Sequence, residues 1–294
     1  MPIVSTTAVP PAATLGDLKH MKWNARIPVL AVAAFALLSS SGCKKLEARD
    51  QLNKGVQAYK SAQYEEAIDH FQNSIDLDPN YPMARLYLAT AYAQQVVPNV
   101  DTPDNLQVAQ SAIQNFQAVL QNDPNDTTSL KQIAAINFNI KNFDVAKQYQ
   151  QKVIAVDPKD AEANYTIGVI DWTQAYQNAV KTLADAGIKD DGEGNAKKDK
   201  ATCAKLQTAN GALVNEGLQY LLQAVNIRPN YEDAMSYINL MYRRKADLEC
   251  GDDAARKADV ASAQDWVTRA MGARKANEEK LNNAAPAGVE MPSQ

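Results

Sequence analysis

Residues 55–80 read Gly55-Val-Gln-Ala-Tyr59-Lys-Ser-Ala-Gln-Tyr64-Glu-Glu-Ala67-Ile-Asp-His70-Phe71-Gln-Asn-Ser74-Ile-Asp-Leu77-Asp78-Pro79-Asn80. Ala67, Phe71 and Ser74 recur at the three- and four-residue spacing of one helix face, and Asp78-Pro79-Asn80 closes that helix, because proline cannot continue it. Gly55 and Tyr59 mark an earlier helix, with a short break around Ser61. A small residue at Gly55 lets that helix approach its neighbour to about 8 Å, while the larger side chains fill the grooves beside the contact. The stretch therefore predicts two short helices folded against each other.

The same closing signal returns further on. Leu77-Asp78-Pro79-Asn80 is echoed by sequences ending at Asn125, Lys159 and Asn230, and Pro124 to Pro158 spans 34 residues. Small residues recur where helices would touch: Ala89 and Ala112 with Phe116 and Val119; Ala134 and Ala146 with Val153; Gly168 and Gly217 with Leu221 and Ala224; Asn239 and Ala263 with Val267 and Ala270. The pattern resembles the tetratricopeptide repeat (TPR) in its small helix contact, its aromatic late on the first helix, its Ala-x3-Phe on the second and its closing turn. The resemblance implies an all-α solenoid of about five antiparallel helix pairs. Expected repeats are 48–81, 82–126, 127–160, 161–231 and 232–281, within a solenoid at 44–281 and ahead of a disordered tail at 282–294.

Three pairs exceed the period. Pro79 to Pro124 spans 45 residues, with Val96 to Leu106 as the excess; Pro158 to Pro229 spans 71; and the fifth pair carries extra residues between Asn239 and Ala263. All three insertions, in pairs 2, 4 and 5, fall between the helices of a pair and so along one edge of a solenoid. Tyr176, Ala179, Val180 and Leu183 prolong the first helix of the fourth pair, and Leu206, Ala209, Leu213 and Val214 extend the second backwards. The expectation is a helical hairpin jutting from the edge, with a flexible Gly, Asp and Lys tip at 189–200.

Residues 1–43 read as an address. From Met21 a basic start (Lys22, Arg26) precedes an apolar run from Ile27 to Leu38 and then Ser39-Ser40-Ser41-Gly42-Cys43. This is the layout of a secretory signal peptide, with translation expected from Met21. The apolar run is shorter than the ~20 residues a spanning helix needs. Ser-Ser-Gly-Cys resembles a bacterial lipobox, though Ser40 stands where that family usually has Leu. The resemblance implies a diacylglycerol on Cys43 and a chain held at a membrane of the bacterial cell envelope, facing the periplasm. Cleavage without lipidation, giving a soluble periplasmic protein, is the alternative.

The remaining composition narrows the function. Without residues 1–43 the chain has 27 basic and 33 acidic residues, which offers nucleic acid no electrostatic footprint. Of two histidines only His70 lies in the body, where it is expected to be solvated, so no histidine triad or His-rich metal site can be assembled. Asp190-Asp191-Gly192-Glu193-Gly194 lacks calcium-loop spacing. Neither a cofactor nor a catalytic or metal site is expected, and the chain does not read as an enzyme.

In the TPR family the first helix of each pair lines the concave groove. Carrying that face over gives Leu52, Val56 and Tyr59; Leu86 and Thr90; Lys131, Ala135 and Phe138; Tyr165, Val169 and Trp172; and Leu240 and Arg243. Tyr59, Phe138 and Trp172 hold equivalent places and should form a spaced row. Repeats that hold acidic chaperone C-termini use Lys and Asn where Leu52 and Val56 stand, so the resemblance does not imply that specificity. The expected function is a scaffold whose partner is another protein or peptide segment held in this apolar groove. The alternative is an envelope binder of a glycan or small ligand. With Cys43 committed to lipid, Cys203 and Cys250 are left to pair in an oxidising compartment. Their expected helices neighbour each other at the insertion edge.

Overall fold

The computed structural model of the protein describes residues 26–284, with side chains described from residue 43 to 283 apart from that of residue 197. Among these residues it forms ten α-helices: α1 (Arg26–Lys60), α2 (Tyr64–Leu77), α3 (Pro82–Gln95), α4 (Pro103–Asn122), α5 (Thr127–Asn139), α6 (Phe143–Val156), α7 (Ala161–Asp185), α8 (Lys200–Ile227), α9 (Glu232–Ala246) and α10 (Asp253–Ala284). They pack as five TPR-like pairs, α1 with α2 through α9 with α10, and each second helix also meets the first helix of the next pair. The architecture is the all-α solenoid expected. The start of the expected signal, 1–25, and residues 285–294 of the expected tail lie outside the described residues. Among the described residues no helix is long and apolar enough to cross a membrane.

The repeated Asp-Pro signal has a local explanation. Each of Asp78, Asp123 and Asp157 closes its helix through its own backbone N–H, as in Asp78 N–H to Ser74 O at 3.0 Å. Each carboxylate then accepts from the N–H two residues on, at 3.3 Å from Asn80, 3.1 Å from Asn125 and 3.0 Å from Lys159. These Asx turns re-aim the chain into the next first helix. There Asp126 and Asp160 cap α5 and α7 through the N–H groups of Ser129 and Ala163. In the fourth pair Arg228 takes the aspartate's place and lies over the Tyr231 ring at 4.2 Å.

Core side chains come from the positions that the repeat named. Ala67, Phe71, Ala89, Ala112, Phe116, Ala134, Ala146 and Ala263 are buried. A Cβ added at Gly55 would stand 2.5 Å from Phe71 Cε1, so only glycine permits that helix approach. Gly168 meets Leu221 and Gly217 meets Met241 in the same way. Among the side chains described, Ala48 is the first buried residue of α1, and its carbonyl accepts from Ser74 Oγ at 2.7 Å.

The insertions differ in form. In pair 2 the chain after Val96 is pinned by buried Asn105, which accepts from Val97 N–H (2.8 Å) and donates to Val97 O (3.0 Å) and Val100 O (2.6 Å). Asn99 N–H then reaches Asn139 O, at the within-pair turn of pair 3, at 2.8 Å. In pair 5 the excess forms the turn between α9 and α10 and the first turns of α10. In pair 4 the hairpin of α7 and α8 is present, but its tip folds back and does not project free. Arg244 on α9 bonds Asp190 Oδ1 at 2.8 Å, Arg243 donates to Gly192 O at 3.2 Å, and Arg256 donates to Glu193 O at 2.6 Å. The Gly, Asp and Lys composition that suggested flexibility serves instead as a set of carbonyl and carboxylate acceptors for three arginines.

Candidate functional site

The equivalent residues Tyr59, Phe138 and Trp172 meet three different surroundings. Tyr59 packs on Tyr64, the first residue of α2, with ring centroids 5.5 Å apart, and Phe138 packs on Phe143, the first residue of α6, at 5.6 Å. Each aromatic thus braces the short turn of its own pair, where Ala62 and Lys141 take positive φ. In the fourth pair that turn does not exist, because α7 runs on to Asp185. Trp172 stacks instead on Tyr176, one turn further along, at 5.1 Å and 16°. The three equivalent positions thus pack against different neighbours.

Around Trp172 the rings gather. Tyr237 on α9 meets Trp172 edge-on at 5.3 Å and Tyr165 edge-on at 5.6 Å, and Tyr165 also packs on Tyr231 at 5.0 Å. Tyr165, Val169, Trp172 and Tyr176 lie on one face of α7, at spacings of four, three and four. Tyr176 is 42% exposed and the others are half-buried, apart from Tyr231 in the core. Burial pushes the Tyr165 and Tyr237 hydroxyls up from the usual phenol range, so both stay protonated as donors. The sequence reading missed Tyr231 and Tyr237 and took Tyr176 only as hairpin. Tyr231 had a signal, since Pro229-Asn230-Tyr231 repeats Pro79-Asn80-Tyr81.

The other expected groove residues are spread along the first helices. Leu52 is buried between α1 and α2, and Val56 packs beside it. Leu86 borders a cavity of about 490 Å³ with Tyr81, Met83 and Val119, and Thr90 Oγ1 turns back to Leu86 O at 2.8 Å. Ala135 is exposed and Leu240 half-buried. Lys131 is held by Asp160 (2.7 Å) and Glu162 (2.9 Å). Arg243 holds the insertion tip and Asn239 Oδ1. His70 bonds Gln51 Oε1 through Nδ1 at 2.8 Å and is not left to solvent.

Two buried ionic groups flank the aromatic surface. Lys147 on α6 bonds Asp171 Oδ1 (2.7 Å) and Glu216 (2.8 Å), tying α6, α7 and α8. Burial outweighs the lysine and raises the Asp171 carboxyl to about 6. At the insertion tip Arg244 pairs with Asp190, lies 3.2 Å from buried Asp247 without an aligned hydrogen bond, and faces the Tyr176 ring at 5.9 Å. Burial raises the Asp247 carboxyl to about 7 against the pull of Arg244. Beside it Cys203 on α8 and Cys250 after α9 are bonded, with Cα atoms 5.7 Å apart. Among the described residues Cys43 is the free cysteine, and it is exposed. Among them, too, no group of three or more His, Cys, Asp or Glu side chains is placed to hold a metal ion.

Family models of the TPR repeat and of the tetratricopeptide repeat match residues 55–96 and 130–160. Among solved structures, a crystal structure of MamA protein is similar at 16% identity, covering 83% of this chain and 98% of that one, with a TM-score of 0.51. A MamA fragment from Desulfovibrio magneticus RS-1 is 18% identical over 78% of this chain and 96% of its own, also with a TM-score of 0.51. A comparison with curated proteins finds no match. At such identity the likeness shows the fold alone.

Proposed function

We propose that this chain is a protein-interaction scaffold that takes a segment of another protein on the aromatic surface of α7 and α9. We further propose that Cys43 holds it by lipid at a bacterial envelope membrane, facing the periplasm. The observation that carries the first part is the gathering of Trp172, Tyr176 and Tyr237 on the first-helix face, half-buried or exposed and with no closing turn to cover them. Large aromatic side chains with a polar edge supply contact area at low entropic cost, which is why they dominate binding hot spots. A binder of a glycan or small ligand would want convergent carboxylates or amides. Glu162, Asp190 and Asn239 near these rings are already bonded within the protein.

The anchor reading rests on the basic start, the apolar run and the small residues before Cys43. Among the side chains described, the first pair's core is built from Leu52, Ala58, Ala67, Phe71 and Ile75, all beyond Cys43. Acyl chains contribute about 0.8 kcal/mol per buried methylene, enough in combination for stable attachment.

One experiment addresses the binding face. A photo-crosslinking residue at Tyr176 in living cells should give a discrete protein adduct that Trp172→Ala abolishes, while the same probe at Leu222 gives none. Equal labelling from both positions, or none from either, would remove the assignment. For the anchor, intact mass of membrane-extracted protein should show a chain beginning at Cys43 with acyl mass added. A Cys43→Ser protein still processed and membrane-bound would rule it out.

A further inference from the structure

We propose that the segment after α10, Ala285 to Gln294, docks at the start of the aromatic surface with Glu290 on Arg228. There it competes with the partner, a consequence that rests on the reading of that surface as the binding face. Arg228 is this chain's own departure from its repeat. The closing turns of the first three pairs carry Asp78, Asp123 and Asp157, each accepting from the N–H two residues on. The fourth carries an exposed arginine over the Tyr231 ring at 4.2 Å, and among the described residues it forms no ion pair. Tyr231 packs on Tyr165 and Tyr165 on Tyr237, so the cation stands at one end of a run of rings. Asp233, exposed on the first turn of α9, has a carboxylate without a bonded partner among the described residues and is electrostatically coupled to the same three tyrosines. The place therefore fits one negative group beside Arg228, apolar side chains on the rings and neutral donors toward Asp233.

α10 brings its own end to this place. Asn277 Nδ2 donates to Asn230 O at 3.1 Å and Arg274 pairs with Glu232 at 3.6 Å, so the helix passes the turn that carries Arg228. From Asn277 it runs on to Ala284, a further length of about 10 Å. The six residues from there to Glu290 extend to about 20 Å, enough to cover that length back to Arg228. Pro286 cannot continue the helix, and Gly288 tolerates a reversal of the chain. Segment 1–25 instead enters through α1, at the other end of the stack of pairs.

The segment's chemistry complements the place. Ala285-Pro286-Ala287-Gly288-Val289-Glu290-Met291-Pro292-Ser293-Gln294 has one charged side chain, Glu290, set between apolar Val289 and Met291. With Glu290 on Arg228, its two neighbours fall on the tyrosine rings, against which a thioether packs favourably. Ser293 and Gln294 follow with hydroxyl and amide donors for Asp233. Tyr237 is then covered, and since Tyr237 also meets Trp172 at 5.3 Å, the segment and a partner cannot both hold that ring. An exposed ion pair alone is weak. A tether this short keeps the segment at an effective concentration in the millimolar range, so a weak contact suffices to hold it.

The test places a photo-crosslinking residue in place of Met291 in the purified full chain and identifies the linked peptides by mass spectrometry. The expected product is a crosslink within one chain, to the peptide carrying Tyr165 or to that carrying Arg228 to Tyr237. Glu290→Lys should lower its yield about fivefold. Arg228→Glu should do the same without harm to folding, since the other closing turns carry an acidic residue there, and the two substitutions together should restore the yield. A yield indifferent to both substitutions, or linkage elsewhere on the chain, would overturn the docking. Linkage between two chains would overturn it as well and move the segment onto a second copy. Competition is read separately in cells, where Glu290→Lys should raise the partner adduct formed from a probe at Tyr176 about fivefold. An unchanged adduct would overturn the competition. No adduct from Tyr176, with the internal crosslink intact, would remove the partner reading and leave the docking standing.

Discussion

The first and third pairs differ from the fourth at a single repeat position, and the difference lies in what each aromatic packs against. Tyr59 and Phe138 brace the turns of their pairs by packing on Tyr64 and Phe143. Trp172 occupies the same place, but α7 continues beyond it, so no turn follows and its ring is shared with Tyr176 and Tyr237. A position that braces its own pair's turn in a short repeat packs along its helix and against the next pair in a long one. The long hairpin is held in place by the Arg244 ion pairs and by the bond between Cys203 and Cys250.

The largest effect should come from the hairpin's fastening. Closing a loop 47 residues long stabilises a fold by about 3 to 4 kcal/mol in the chain-entropy account. Replacing Cys203 and Cys250 by serine should lower stability by about that amount in denaturant titration and expose 189–199 to proteolysis first. Thiol counting on denatured, unreduced protein should find neither cysteine free. Two reactive thiols would show that arginine contacts alone fasten the hairpin.

The comparison itself can be broken by paired substitutions. Phe138→Ala should cost about 2 kcal/mol of stability, as removal of a half-buried aromatic does, and leave partner binding unchanged. Trp172→Ala should lose stability to a similar degree but also cut binding by about 2 kcal/mol, roughly 30-fold, with the helical signal unchanged. If the two variants exchange these effects, the position has one role throughout the solenoid.

A smaller effect is expected from pH. Asp171 titrates at about 6 in the folded chain against about 3.9 unfolded. Between those values the folded chain binds the extra proton, so Asp171 makes stability fall as pH rises through the window, by at most about 3 kcal/mol. Asp171→Asn should flatten that portion of the stability profile between pH 4 and 6.5. Parallel profiles for the two proteins would show that Lys147 keeps the carboxylate charged throughout.

The smallest change should follow from Lys131→Ala. Its pairs with Asp160 and Glu162 join α5 to the start of α7 near the surface, where such contacts contribute about 0.5 to 1 kcal/mol. Denaturant titration reads the loss, and a loss well above 1 kcal/mol would show that solvent does not screen the pair.

The solenoid was legible because each repeat carries its own instructions. Gly55, Ala67, Phe71 and the Asp78-Pro79 turn act within 30 residues of one another, and their recurrence at Asp123 and Asp157 marks each pair end without knowledge of the others. The insertions were legible as departures from the period. Which groove residues gather was not, since Tyr237 enters the cluster only through α9 lying against α7, and nothing within α9 distinguishes its ring from an ordinary core residue. The tip at 189–199 was misread for a related reason. Its one apolar residue, Ala196, is buried but too small to signal packing among so many polar neighbours, and its partners Arg243, Arg244 and Arg256 lie more than 40 residues away.

By itself, then, the sequence determined the all-α class and the pairing of the helices, because small contacts, helical periodicity and proline stops are short-range effects. Only the tertiary structure decided which aromatic rings meet, which arginines are already occupied and whether the hairpin stands free or is fastened. Those outcomes depend on distances between helices from different repeats, and such distances follow from the stacking of whole pairs.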